Sequence, residues 1–443
     1  MTGNRFSAAD SALGYLYQVR VALLWSLSRI KQGEFVVSIE TLDDVTFETK
    51  GGTPEELLQT KHHRTRAASL TDMSVDLWKT LATEHTGNLA LSPASLALAF
   101  GMVEAGAAGP TRDELREVLH LTLPDDRVHA GNAALVRAWN APAPYTLAVA
   151  NRLFGERHLR FATPFTNLVA AAYGAPLEPV DFIGAADAAR VHINDWVAGA
   201  TRDRIKDLLP PGSVDPDTRL VLTNAVYFKG QWASRFDEAN TRPAPFTVGD
   251  KAVLVPMMRQ TGGFGYARVD GATLLEMPYV GATFGSDGKP NGGLTMVIAL
   301  PDRGPTTDLE AHLSAETIAT WTTALRPTPH VAVTLPRFRI ATDVLALRGP
   351  LQTLGLTNAF EPVADFSGMT RDERLFISNA FHKVFVEVNE EGTEAAAATA
   401  VVMTRESAVQ GPEFHADHPF LFLLRDAATG HVLFMGRVVN PNA

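Results

Sequence analysis

One stretch constrains this chain more than any other: Phe381 to Gln410, FHKVFVEVNEEGTEAAAATAVVMTRESAVQ. Its opening, Phe381 to Val388, is apolar and β-branched enough to be a strand of a large sheet. Asn389-Glu390-Glu391-Gly392 then marks a turn or hinge. From Thr393 to Ala400 almost nothing is larger than a methyl group or a threonine. Propensity alone makes that run a helix, since alanine is the best helix former and Glu394 would sit in the first turn. With period two, however, Thr393, Ala395, Ala397, Thr399, Val401 and Met403 share one side, and Glu394, Ala396, Ala398, Ala400, Val402 and Thr404 share the other. The segment can be a helix or loop in one state and a packed central strand in another. Such a conflict between local and global preference is expected at a bistable functional element.

EVNEEGTEAAAATA resembles the reactive-centre-loop hinge of an inhibitory serpin, and further motifs match that family in order. They are Ser92-Pro93, Ile193-Asn-Asp-Trp-Val197, Asn224-Ala-Val-Tyr-Phe-Lys-Gly-Gln-Trp232, Leu335-Pro-Arg-Phe338, Ala364-Asp-Phe-Ser-Gly368, His418-Pro-Phe420 and Phe434-Met-Gly-Arg437. The resemblance implies an α+β serpin fold of about nine helices and three β-sheets, with an exposed loop at about 390–412. It covers residues 71–443 and leaves 1–70 as a short α/β extension. It implies a hinge at Glu391, Gly392, Thr393, Glu394, Ala395, Ala396, Ala397, Ala398 and Thr399. Ser92, Ser95, Asn224 and His382 would form a polar cluster where strands part, with Trp232 at the top of the opening. Read without the resemblance, the same residues are satisfied core polar groups.

The resemblance also implies the mechanism. A serine protease cuts the loop, an acyl-enzyme forms, and the loop enters the main sheet before water releases the protease. Family spacing from Gly392 places the cut at Glu406-Ser407, which suits a glutamate-selective protease. A shift of one residue would present Arg405 to a trypsin-like one. The alternative functions are a non-inhibitory serpin and a protease-sensing serpin that regulates the N-terminal extension.

That extension has its own signal. Apolar residues recur at helical spacing through Leu16, Val19, Leu23, Leu24 and Leu27. Phe35 to Glu48 alternates as a strand or hairpin, and Leu57 to Lys61 reads as a further short strand. The order resembles the front of a restriction-endonuclease-like module of anti-phage effectors. In that family an aspartate and a Gln-x-Lys converge on a divalent metal, and the matching positions are Asp44, Gln59 and Lys61. The piece is much shorter than the family's module, so the expectation is a remnant without nuclease activity.

Composition bounds the remaining classes. A formal charge of −10 argues against a general nucleic-acid surface. The absence of cysteine excludes disulfides and thiolate metal sites. No metal ligand set, phosphate-binding glycine loop or nucleophile elbow is found, so neither an enzyme nor a cofactor is expected. Val21 to Trp25 is apolar but closely bounded by Arg20 and Arg29, and reads as an amphipathic helix. No run is long enough to span a membrane. A cytoplasmic monomer with a protease partner is therefore expected.

Overall fold

The structure is a computed structural model that describes residues 35–41, 44–49, 54–58, 60–393 and 411–443; side chains are described from residue 71 onward, except at 148–150 and 224. The chain divides into two compact units, Met1–Ala67 and Ala68–Ala443.

In the first unit, strands β1 (Phe35–Thr41), β2 (Asp44–Thr49) and β3 (Pro54–Leu58) form an antiparallel sheet in that order, with Phe35 opposite Thr49 and Val45 opposite Leu58. The expected strand through Lys61 is corrected here. Strand β3 stops at Leu58 and helix α1, Thr60–Glu84, begins two residues later. The cause is local, because Lys61, Arg64, Arg66, Ala67 and Ala68 after Thr60 all favour helix. Lys61 is thus helical, while β2 and β3 pair as neighbouring antiparallel strands. Gln59, the side chain of Asp44, and the expected N-terminal helix around Leu16 to Leu27 lie outside the described residues.

Within the second unit, α1 buries Met73, Leu77, Trp78 and Leu81, the recurring face of an amphipathic helix. Further helices are α2 (Pro93–Gly106), α3 (Gly109–Val118), α4 (Asp125–Trp139), α5 (Thr163–Tyr173), α6 (Phe182–Ala200), α7 (Thr307–Ala311), α8 (Ala315–Ala324) and α9 (Arg348–Thr353). Helix α2 enters at Pro93, whose missing N–H costs nothing at a helix start, and is buried along nearly its whole length.

Two large sheets enclose the core. One has six strands in the order β15 (Phe338–Ala341), β18 (Val384–Val388), β19 (Gly392–Thr393), β7 (Leu220–Gln231), β5 (Thr146–Glu156) and β6 (Leu177–Val180). The other has nine. Its path runs β20 (Glu413–His415), β14 (Arg326–Pro336), β9 (Lys251–Val269), β10 (Ala272–Pro278), β13 (Leu294–Pro301), β21 (Phe420–Asp426), β22 (Val432–Val438) and β4 (Leu89–Leu91), with β8 (Arg242–Val248) also on β9. The 19-residue β9 pairs with β8 and β14 along most of its length and with β10 at its end. Two of the three expected sheets are therefore continuous through this strand. Two ribbons complete the set: β11 (Thr283–Phe284) with β12 (Pro290–Gly292), and β16 (Leu345–Ala346) with β17 (Phe381–His382).

Close approach of β22 to its neighbours requires Gly436, where a Cβ would lie 2.3 Å from the Phe422 ring. The next residue, Arg437, is 3% exposed and donates through Nη1 to both carboxylate oxygens of Glu310, at 2.7 and 3.0 Å. Its remaining nitrogens reach the carbonyls of Gly87 and His85, and Thr306 donates to Glu310. A buried pair so fully satisfied is costly to break from one side. Arg437→Met is expected to destabilise the uncleaved protein by about 3–5 kcal/mol, read as a lower urea midpoint.

Candidate functional site

Strands β7 and β18 are neighbours that barely meet. They pair in parallel only through Val384 with Val226 and Phe385 with Tyr227. Farther along β7, Gly392 and Thr393 lie opposite Gln231 and Gly230, and Thr393 also lies opposite Val388 of β18. The first two residues of the suspected loop thus already sit as a strand in the cleft. Thr393 is 2% exposed, and its hydroxyl is 2.6 Å from that of Tyr279. Gly392 has φ 154°, and a Cβ there would lie 2.0 Å from the carbonyl oxygen of Gly230, so only glycine fits this step.

The turn before the wedge is held on every side. Asn389 accepts through Oδ1 from the backbone N–H groups of Glu391 and Gly392, at 3.1 and 3.2 Å. Its own N–H donates to the Gly392 carbonyl at 2.9 Å. Glu390 is 2% exposed, and its two oxygens accept from Arg337 Nε at 2.6 and 2.7 Å while Thr241 donates to one of them. Just past β7, Trp232 donates its backbone N–H to the Glu391 carbonyl and its indole N–H to the Asn389 carbonyl, at 2.8 and 3.0 Å. The indole stacks on Tyr279 at 4.5 Å between centroids, and Phe228 meets Tyr279 edge-on at 5.0 Å. Burial pushes the Tyr279 phenol far above its ordinary range, so it stays neutral and serves as a hydrogen-bonding partner for Thr393.

Farther down, His382 on β17 is buried, and its Nε2 accepts the backbone N–H of Ser92 at 3.0 Å. The neutral ring therefore carries its proton on Nδ1. Ser92 donates its hydroxyl to the Leu433 carbonyl at 2.7 Å, and Ser95 is buried one turn along in α2. Asn224 lies on β7 opposite Asn151 of β5, but its side chain is outside the described residues. So are Glu394 to Gln410, and with them Ala395, Ala396, Ala397, Ala398, Thr399, Arg405, Glu406 and Ser407.

Trp232, Glu391, Gly392 and Thr393 lie together at the end of β7. Sequence reading missed Tyr279, Arg337 and Thr241, because nothing local marks a tyrosine whose partner lies 114 residues away. Among the described residues no group of histidines and carboxylates is arranged to hold a metal ion, and no helix is long and apolar enough to cross a membrane.

A six-stranded sheet with a strand begun in its middle, fed by an alanine-rich segment, is the arrangement whose family can now be stated. The model of the serpin (serine protease inhibitor) family matches residues 68–441, and the chain belongs to that family. It is 41% identical over 379 residues to Serpin B6 of Macaca fascicularis, covering 83% of this chain and 97% of that one. It is likewise 41% identical over 390 residues to the leukocyte elastase inhibitor of Bos taurus, covering 85% and 99%. Uncleaved ovalbumin superposes with a TM-score of 0.76 at 32% identity, covering 85% of this chain and 99% of ovalbumin.

The His382 environment gives a pH dependence. Burial pushes its imidazole down to about 3 from 6.5. Above pH 6.5 neither folded nor unfolded ring binds the proton; between 6.5 and about 3 only the unfolded ring does. Stability therefore falls as pH falls through this window, by up to about 1.4 kcal/mol per pH unit. Urea denaturation of the parent and His382→Asn from pH 7 to pH 4 should show a shallower decline in the variant.

Proposed function

We propose that this serpin inhibits serine proteases as a suicide substrate, with the wedge at Gly392–Thr393 as the start of loop insertion. The observation that carries the reading is the wedge itself: a strand two residues long, joined to a segment with no bulky side chain, lies between strands paired by only one short contact. Continuing both antiparallel registers puts Ala396 between Tyr227 and Phe385, and Ala397 between Val226 and Val384. The two registers agree, so the strand can advance without slipping.

A target protease attacks the scissile carbonyl and becomes esterified to the loop. Thr393 to Thr404 then enters as an added strand, and at about 3.4 Å per residue this carries the bound protease roughly 40 Å. Deacylation competes with that movement. Residues on the side of Thr393 enter the core beside Val388 and Phe228, and those on the side of Ala396 enter beneath α6. Methyl-sized groups keep the early steps free of steric and desolvation barriers, whereas a charge would stall them. Ser92, Ser95, Asn224 and His382 serve as the polar base of the opening, since hydroxyl, amide and imidazole can exchange partners as strands separate.

The scissile bond is assigned to Glu406-Ser407, which selects a protease whose pocket pairs a carboxylate. Incubation with glutamate-selective, trypsin-like and elastase-like serine proteases should give an adduct, at the summed mass less that of the released C-terminal peptide, that survives denaturing electrophoresis. The released peptide should begin at Ser407; one beginning at Glu406 would move the bait to Arg405. Cleavage with no adduct and no gain in thermal stability would overturn the inhibitory reading. Thr393→Arg should convert the protein to a substrate, raising the inhibitor-to-protease ratio needed for full inhibition at least several-fold; an unchanged ratio would refute the role of the wedge.

A further inference from the structure

The hairpin of β11 and β12 turns at residues 285–289, and the Lys289 ammonium at its close donates to the Thr323 carbonyl of α8 at 2.9 Å. Between this hairpin, β9, β10 and the residues that open β14 lies a pocket of about 340 Å³, within the range that small ligands fill. Four prolines, Pro278, Pro290, Pro327 and Pro329, and the rings of Phe264 and Phe284 give it flat apolar walls. Its ionisable members are Glu276, Lys289 and Arg326.

Glu276 is 3% exposed, and its two oxygens differ. Oε1 accepts from Thr295 at 2.8 Å and from Arg425 Nη2 and Nε at 2.7 and 3.2 Å, while Oε2 accepts no hydrogen bond among the described residues. Gly265 stands opposite Glu276 in the β9–β10 register, and a Cβ there would lie 3.1 Å from Oε2. Glycine at this position therefore leaves space beside an oxygen of a buried carboxylate that no described group satisfies. Arg326 is engaged at the end of α8, where it donates to the carbonyls of Thr323, Ala324 and Leu325. Lys289 is the one amine of the pocket. Burial, and after it the Arg326 guanidinium, hold its ammonium below the ordinary lysine range, with Arg425 adding to them and Asp287 and Glu276 opposing. More of this amine is free at neutral pH than of a solvated lysine.

We propose that this pocket takes an aromatic aldehyde bearing a hydroxyl group and holds it as an imine on Lys289, with the hydroxyl donating to Glu276 Oε2. The proline and phenylalanine walls suit a flat ring, and the carboxylate oxygen left open beside Gly265 suits a donor at its far end. The amine lone pair attacks the carbonyl carbon, forming a C–N bond as the C=O π pair takes up a proton to give a carbinolamine. Its hydroxyl then departs with the remaining amine proton as one water, leaving C=N. Nothing is oxidised or reduced. The site is separate from the cleft between β7 and β18, and its chemistry does not depend on loop insertion.

The test uses para-hydroxybenzaldehyde as the probe. The intact protein is incubated with graded concentrations of it, imines are fixed with cyanoborohydride, and peptide mass mapping reads the reduced adduct at each lysine. Labelling of Lys289 should saturate with probe concentration, whereas the exposed Lys206 and Lys251 should be labelled in simple proportion to it. Lys289→Arg keeps a cation able to reach Thr323, so it should lose the saturable labelling entirely with its thermal midpoint unchanged. The isosteric para-methylbenzaldehyde lacks the donor for Glu276 and should need about tenfold more to half-saturate Lys289, the effect of losing one hydrogen bond to a charged group. Labelling of Lys289 that is absent or merely proportional to probe, or saturable labelling that survives Lys289→Arg, overturns the site. Equal half-saturation by the two aldehydes overturns the placement of the hydroxyl on Glu276. Protease trapping by Lys289→Arg should match the parent's, so the inhibitory reading and this one are tested apart.

Discussion

The structure depends on a sheet whose two central strands hold each other by one short parallel contact, Val384–Phe385 on Val226–Tyr227. Antiparallel pairs surround it: β5 with β7 over ten residue pairs and β15 with β18 over four. Each half of the sheet is therefore well made, and the join is not. Backbone N–H and C=O groups on the facing edges are the part of the fold with most to gain from a further strand. Around that join lie α2, the aromatic trio Phe228, Trp232 and Tyr279, and the Glu390–Arg337 ion pair that fixes where the short strand Gly392–Thr393 starts.

Much of this was legible beforehand, for reasons that differ by residue. The strand that ends at Val388, the turn at Asn389 to Gly392 and the helix start at Pro93 are written in local chemistry: a β-branched run, two acids before a glycine, and proline at a first helical position. The single strand expected from Phe381 is instead broken at Lys383 into β17 and β18, which lie in different sheets. Trp232 and Thr393 came from motif likeness, since a lone indole or hydroxyl carries no address. Tyr279 carried no mark, and the roles of Arg337 and Thr241 went unread because their partners come from distant segments and take meaning only when the sheet closes. Lys61 failed in the opposite direction. A short apolar run ending in Gln-x-Lys satisfied a strand pattern, but the helix formers behind Thr60 claimed it.

The alanine run shows how one composition can serve two packings. Side chains no larger than methyl lose little entropy wherever they are placed and bring no polar group to desolvate. On the proposed mechanism, such side chains offer little resistance to joining the strand edges beside Thr393.

The anchoring of Glu390 has a consequence of parity. Because its carboxylate is locked to Arg337 and Thr241 just ahead of Gly392–Thr393, the proposed insertion would give each later side chain a face fixed by its count from that point. Adding or removing one residue between Glu390 and Thr393 would turn the whole following strand over, swinging Glu394 into the apolar interior and sending Thr393 outward. Adding two would restore every face. The short spacer therefore works as a reading frame, and odd changes in its length are more damaging than most substitutions within the strand it sets.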